Sequence, residues 1–281
     1  MTPLRKTALT LLALAAVGCS ASALSSSGPP GAAVPAPSPA EAQAKSKKPK
    51  LSASVKKAQD EYEKGAVALR YGLTDEAIRY GQQSLAALPG YFNALALLGS
   101  AYYTKGEYAL SVEHYEKAAA LKPDSAEIQR NLGLAYIEVK DDGKAFAALE
   151  KAFALNGDAE AVYSLGRLCY AQKRFEEALS YALKAVQKDG KSAKAYNLKG
   201  VILNQLGRYA EAAGSFQAGL VLAPDDIGLQ INLGIAYLNT DEPAKAKPVL
   251  EAVLPKIEDP ALKKQVEDYL KSIKDGGRPG R

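Results

Sequence analysis

The chain has 281 residues, of which 47% are hydrophobic and 24% charged, with two Cys, one His and a formal net charge of +5. That length suits one or two domains, and a single histidine leaves little from which to build a His-based catalytic or metal centre. The positive balance does not mark a nucleic-acid binder: residues 58–258 carry 22 Lys and Arg against 26 Asp and Glu, so the basic excess lies in the two tails rather than on a folded surface.

The first segment reads as a targeting sequence, residues 1–18, and is set aside from the fold. Arg5-Lys6 precedes an apolar run, Thr7–Gly18, that is shorter than the roughly 20 residues a membrane-spanning helix needs. It ends in Ala16-Val17-Gly18-Cys19, which resembles a bacterial lipobox except that Ala16 stands where leucine is usual. The resemblance implies acylation of Cys19, a palmitate-type lipid anchor. With Ser20 following, it further implies an outer-membrane lipoprotein facing the periplasm. Ordinary secretion, with cleavage after Ala21-Ser22-Ala23, is the alternative and would leave a secreted or soluble periplasmic protein. Residues 19–51 are rich in Ser, Pro and Ala and end in Lys45, Lys47, Lys48 and Lys50. That composition cannot bury enough surface to fold and reads as a linker.

From Ala58 onward a single pattern recurs. Units begin at Ala58, Phe92, Ala126, Ala159, Ala193 and Ile227, 34 residues apart except for one step of 33 at Asn156-Gly157-Asp158. With positions numbered 1 to 34, position 8 is always glycine: Gly65, Gly99, Gly133, Gly166, Gly200 and Gly234. Position 20 is always small: Ala77, Ser111, Ala145, Ala178, Ala212 and Ala246. Position 11 is Tyr102, Tyr136 or Tyr237 in three units, and Ala68, Cys169 or Leu203 in the others. Apolar residues at helical spacing on either side of a central turn make each unit two short helices. Expected turns lie at Thr104-Lys105-Gly106, Asp141-Asp142-Gly143, Lys173-Arg174, Gly207 and Thr240-Asp241-Glu242. A recurrent helical glycine, costing about 1 kcal/mol against alanine, implies close approach of the paired helix, with small position 20 as its counterpart. The first helix is expected to be capped by Ser52 or Ser54. Pro248 is expected to kink its helix or delay its start. A last amphipathic segment in residues 259–274, carrying Leu262, Val266 and Leu270, reads as a cap over the final repeat. Residues 275–281 are a polar tail.

Glycine at position 8, a small residue at position 20, tyrosine at position 11 and proline at position 32 (Pro89, Pro123, Pro224) resemble the tetratricopeptide repeat family. The match covers about residues 58–258, within a repeat region of 52–258. The resemblance implies an all-α, right-handed solenoid of six helix-turn-helix repeats plus a C-terminal capping helix. It also implies a concave groove lined by positions 2, 5, 9 and 12 of the first helices. Carried over onto this sequence, the groove residues are Tyr62, Tyr103, Arg130, Leu134, Tyr163, Arg167, Tyr170, Asn197, Ile231 and Ile235. Tyrosine, arginine and aliphatic side chains on such a face are the chemistry of protein interfaces. The lysine–asparagine pair by which some family members clamp a C-terminal carboxylate is missing from every unit, so an apolar segment or helix is the expected ligand.

No HExxH, CxxC, GxSxG or phosphate-loop pattern is present, and His114 has no recurring counterpart at its repeat position. The expected function is a non-enzymatic scaffold or assembly factor of the bacterial cell envelope, without cofactor, metal, nucleic acid or small-molecule substrate. Its partners would be envelope proteins, and the membrane through the lipid anchor. A six-repeat lipoprotein of this size looks like the pilotins of type IV pili, which would make a secretin subunit the partner. The alternatives are an adaptor for a periplasmic protease and a peptidoglycan-associated binding module.

Overall fold

The computed structural model describes residues 52–275. The targeting segment, Cys19 and the linker lie outside the described residues, as do residues 276–281. Thirteen helices follow one another, and no strand occurs among the described residues. They are α1 (Ala53–Arg70), α2 (Thr74–Ala87), α3 (Phe92–Lys105), α4 (Tyr108–Leu121), α5 (Ala126–Glu138), α6 (Asp142–Asn156), α7 (Ala159–Ala171), α8 (Phe175–Lys188), α9 (Ala193–Gln205), α10 (Tyr209–Leu222), α11 (Ile227–Asn239), α12 (Pro243–Val253) and α13 (Pro260–Lys274). Each odd-numbered helix packs on the even-numbered helix that follows, and that helix packs on the next odd one. Successive odd helices from α1 to α11 also touch one another, so they line one continuous inner face of the array.

Local chemistry repeats with the units. The residue before each inner helix supplies its N-cap: Ser52, Ser125, Asp158, Ser192, Asp226 and Asp259 each accept a backbone N–H with the side chain, α3 alone starting without one. The turn inside each unit places position 15 in the left-handed region: Gly72, Gly106, Lys140, Lys173, Gly207 and Asp241, with φ between 61° and 82°. In all six, the N–H of position 16 donates to the carbonyl of position 11, at 2.8 to 2.9 Å, which closes the inner helix as a Schellman cap. The third turn therefore pivots on Lys140 rather than on Gly143. Asp141 caps α6 there through Lys144 N–H (3.1 Å), and Gly143 is already helical.

The position-8 glycines pack against a different residue from the one expected. Position 20 is fully buried throughout, and its carbonyl approaches the glycine in units one, three and four. The group that leaves no room for a side chain is position 24: Tyr115, Leu149, Phe216 and Leu250 press on Gly99, Gly133, Gly200 and Gly234. In the two units where position 24 is small (Gly81 and Ala182) the nearest atoms come from position 6 of the following unit, Leu97 against Gly65 and Leu198 against Gly166. The same space is filled from within the unit or from its neighbour, which couples each repeat to the next.

A second coupling runs along the outer side. Position 11 of one unit bonds position 25 of the unit before it. Gln82 Nε2 donates to Tyr102 OH (3.2 Å), Tyr136 OH donates to Glu116, and Gln217 Nε2 donates to Tyr237 OH (2.7 Å). Where Cys169 holds position 11, Tyr181 OH from α8 donates to Glu150, again position 25, at 3.0 Å. Cys169 is fully buried, and burial pushes its thiol up to about 11, so it is packing rather than a nucleophile.

At the C-terminal end, α12 begins at Pro243 without the delay expected from Pro248, runs 11 residues and gives way to a 3-10 turn at Leu254–Lys256. Pro248 sits early enough that the carbonyl it leaves unbonded belongs to the first turn. Then α13 lays Val266, Tyr269 and Leu270 on Ile231, Ile235, Leu250 and Val253. Its Ala261 stands at the phase of a seventh unit, so the cap occupies the place of a next inner helix.

Candidate functional site

A hollow lies at the N-terminal end of the concave face. Side-chain volume at positions 5 and 9 decides where. In the first two units these are Tyr62 and Ala66, then Ala96 and Ser100. In the last three they are Tyr163 and Arg167, Asn197 and Val201, Ile231 and Ile235. A cleft of about 400 Å³ accordingly opens across α1, α3 and α5. Ala66, Ala96, Leu97 and Ile128 form its floor. Tyr62, Leu69 and Phe92 stand at its sides, and Arg70, Asn93, Ser100, Ser125, Glu127 and Asn131 supply its polar groups.

Most of these groups are held in place. Tyr62 meets Tyr91 edge-on, ring centres 6.1 Å apart, and Asn93 Nδ2 donates to Tyr91 OH at 3.2 Å. Burial, then the neighbouring Tyr91 and Glu127, raise the Tyr62 phenol above its usual range. Ser100 Oγ lies 2.7 Å from Tyr115 OH, whose burial pushes it up to about 12. Lys122 Nζ sits 3.9 Å from the centre of the Phe92 ring. Such a cleft offers an apolar floor, two amides and two serine hydroxyls, which suits the alternating apolar and hydrogen-bonding edges of an extended peptide.

The expected groove residues fall into two sets. Tyr62, Tyr103, Arg130 and Leu134 are half-buried and Arg167 is exposed. Tyr163, Tyr170, Asn197, Ile231 and Ile235 are buried and line no open groove. Their sizes close the inner face: Tyr170 packs edge-on against Phe175 and accepts from Gln205 Nε2 (3.0 Å). Asn197 Oδ1 accepts from Asn232 Nδ2 (2.9 Å) in the interior, and Ile231 and Ile235 lie beneath α13. Arg130 is an anchor rather than a free guanidinium. Its Nη1 is 2.7 Å from Asp158 Oδ2, while Asp158 Oδ1 caps α7 through Ala161 N–H at 2.9 Å. Tyr103 OH points to Glu138 (3.4 Å), and burial followed by that carboxylate raises its pKa. Arg167 lies 6.0 Å from the Tyr163 ring centre and forms no ion pair among the described residues.

Asn93 and Glu127 occupy position 2, which belongs to the groove pattern, and Asn131 occupies position 6; none of the three is in the expected set. The signal that finds them is the run of small residues beside them. His114 is remote from the cleft, its Nδ1 2.9 Å from Leu110 O and its ring against Tyr102. No group of three metal-ligating side chains occurs among the described residues, and no described helix is long and apolar enough to cross a membrane.

Three family models match the chain: TPR repeat over residues 99–139, and tetratricopeptide repeat over residues 132–193 and 203–265. The chain belongs to the tetratricopeptide repeat family. Among solved structures, a tetratricopeptide repeat protein from Parabacteroides merdae is 20% identical with a TM-score of 0.64, over 78% of this chain and 88% of its own. YrrB, described as a TPR protein with an unusual peptide-binding site, is 20% identical with a TM-score of 0.55, over 67% of this chain and 97% of its own. At that identity both establish the fold alone. A curated relative, the BBSome complex member BBS4 of Bos taurus, is 27% identical over 141 residues. That match takes in 50% of this chain but only 27% of the bovine protein. Tetratricopeptide repeats of this kind are protein-interaction scaffolds.

Proposed function

We propose that this protein is a non-enzymatic adaptor that holds an extended segment of a partner protein across its first three repeats. The observation that carries this reading is the hollow at Ala66, Ala96 and Ser100, walled by aromatics and furnished with Asn93 and Asn131, while Tyr163, Tyr170, Asn197, Ile231 and Ile235 further along the face are buried. The peptide-binding site named for YrrB shows that a solenoid of this fold can serve such a role. The setting we propose is the bacterial cell envelope, with the chain tethered by an acylated Cys19 and the repeats facing the periplasm. There an outer-membrane assembly partner, such as a secretin subunit in a pilotin-like arrangement, is the favoured ligand.

The test is a photoreactive residue placed at Ser100 in living cells, with the exposed outer position Lys151 as control. The expected result is one dominant adduct with an envelope protein from Ser100 and none from Lys151. Adducts from Lys151 alone would sink the cleft. Metabolic palmitate labelling that persists after Cys19→Ala would sink the tether.

A further inference from the structure

The inner helices differ in what covers them. In units two to six, positions 3 and 10 of the inner helix are apolar and at most 5% exposed, because the outer helix of the unit before packs on them. Leu229, at position 3, lies against Gly219 of α10 in this way, and Ala135, at position 10, shares a core with Ala118 of α4. The first unit has no such neighbour among the described residues. Its position 3 is Asp60, and its position 10 is Val67, 46% exposed. Val67 stands with Tyr71 (77% exposed) and Leu73 (50%) in a depression of about 640 Å³ that Asp60, Glu63 and Glu76 also line. None of these three carboxylates is in an ion pair among the described residues. Lys64, the one cation lining the depression, is paired with Glu61 (2.9 Å), and Arg79 lies over the Tyr80 ring, 4.6 Å from its centre. An exposed apolar patch of this kind marks a docking surface.

We propose that this face docks a basic amphipathic helix of a partner protein, which takes the place of a preceding outer helix. Its apolar side chains lie on Val67, Tyr71 and Leu73, and its Lys or Arg side chains meet Asp60, Glu63 and Glu76. The occupant is a helix because a helix covers the same positions in every later unit; α2, α4, α6, α8 and α10, which do so, are 14 or 15 residues long. Its charge follows from the carboxylates that lack an ion pair, and the same sign turns away nucleic acid and anionic lipid. This chain's own residues 25–51 suit the place poorly: apart from alanine and proline, Val34 and Leu51 are their only apolar side chains. A second copy suits it no better. Its N-terminal face would set like charges together, and its α13 turns Lys263, Lys264, Glu267, Asp268 and Lys271 outward. The face shares no lining residue with the cleft, so it is a separate contact point.

The experiment measures binding of a fluorescein-labelled helical peptide to the purified full chain at low salt. The peptide is about one outer helix long, with leucines along one stripe and lysines beside it, and a second peptide has glutamates for the lysines. The lysine peptide should bind saturably and about tenfold or more tighter than the glutamate peptide. Val67→Ser with Tyr71→Ser should weaken it about tenfold, and so, separately, should Asp60→Lys with Glu63→Lys, with helical circular dichroism showing that each variant is folded. No binding, equal binding of the two peptides, or binding that both pairs of substitutions leave unchanged overturns the proposal. In living cells, a photoreactive residue at Tyr71 should give an adduct that maps to a Lys- or Arg-rich segment of another protein with apolar residues at helical spacing. An adduct mapping to this same chain, to a second copy or to an acidic segment also overturns it.

Discussion

Replacing Gly200 and Gly166 by alanine tests the packing logic of the array, because the two substitutions share a repeat position but meet different surroundings. In a helix, alanine is favoured over glycine by about 1 kcal/mol, so both would stabilise if nothing stood in the way. At Gly200 a new Cβ would lie 2.7 Å from Phe216 Cδ1 and Cζ, and closer still to Cε1. Phe216 is fully buried and has nowhere to move. Overpacking of this kind costs about 1–3 kcal/mol, and the ring is met nearly face-on, so a net loss of about 1–2 kcal/mol is expected. At Gly166 the nearest atom is the Leu198 Cδ2 methyl at 3.1 Å, and the backbone lies 3.5 Å away. A methyl tip can give by a few tenths of an ångström, so Gly166→Ala is expected to be neutral or stabilising by up to about 1 kcal/mol. For an array of this length, each kcal/mol moves Tm by roughly 2–4 °C. Helical circular dichroism during heating should show Gly200→Ala melting several degrees below the parent, with Gly166→Ala at or above it. Phe216→Ala, destabilising by itself, should remove most of the extra cost of Gly200→Ala in a double-mutant cycle. If both glycine variants shift equally and in the same direction, close approach at position 24 is not what the glycine serves.

Three further outcomes follow from other contacts. Lys173 holds φ of 61° where other units use glycine, so Lys173→Gly should raise thermal stability by about 0.5–1 kcal/mol, and a fall would refute the turn argument. Asp158→Ala removes the α7 cap and the Arg130 partner together. It should cost about 2 kcal/mol or more, read as a lower urea midpoint, with Arg130→Ala alone costing less because the cap survives. Alkaline pH should unfold the chain. Burial lifts Tyr115 to about 12, so between about pH 10 and 12 the unfolded chain gives up that proton while the folded chain keeps it. Stability therefore falls as pH rises through that window, and tyrosinate absorbance should rise with unfolding. Absorbance that completes its rise near pH 10 on a still-helical chain would contradict the burial.

The fold was legible because its determinants repeat. Glycine at position 8 and the small position 20 recur at one phase in all six units, and one-dimensional spacing is enough to find them. What escaped were pairings whose members vary together. Position 24 looks irregular in sequence, as Tyr115, Leu149 and Phe216 alternate with Gly81 and Ala182. It becomes regular only when the compensating Leu97 and Leu198 of the next repeats are seen in place. Likewise Tyr181 stands in for the tyrosine that Cys169 displaces, from another helix. The expected turn at Lys173-Arg174 holds the left-handed residue, whereas the pivot at Lys140 escaped because lysine gives no signal for positive φ.

The expected groove residues spread along the whole array, whereas the cleft borders the first three units, for a related reason. Positions 5, 9 and 12 face inward in every unit, but facing inward does not make a residue accessible. Repeat position singled out Tyr163, Tyr170 and Asn197, whereas their volume is what matters: they are buried and fill the inner face where they stand. Accessibility on a curved inner face goes to the smallest residues, Ala66, Ala96 and Ser100, and the chemistry goes to whatever borders them. The six repeats thus divide the work by side-chain size. The last three bury Tyr163, Tyr170, Asn197, Ile231 and Ile235 on the inner side, with the Asn197–Asn232 amide pair inside and α13 laid over the final repeat. The first three give up part of that packing to make a cleft, and among the described residues the same end of the molecule exposes Val67, Tyr71 and Leu73. A ligand in the cleft would therefore act on α1, the least buried of the inner helices, with only Ala58, Gly65 and Ala68 buried.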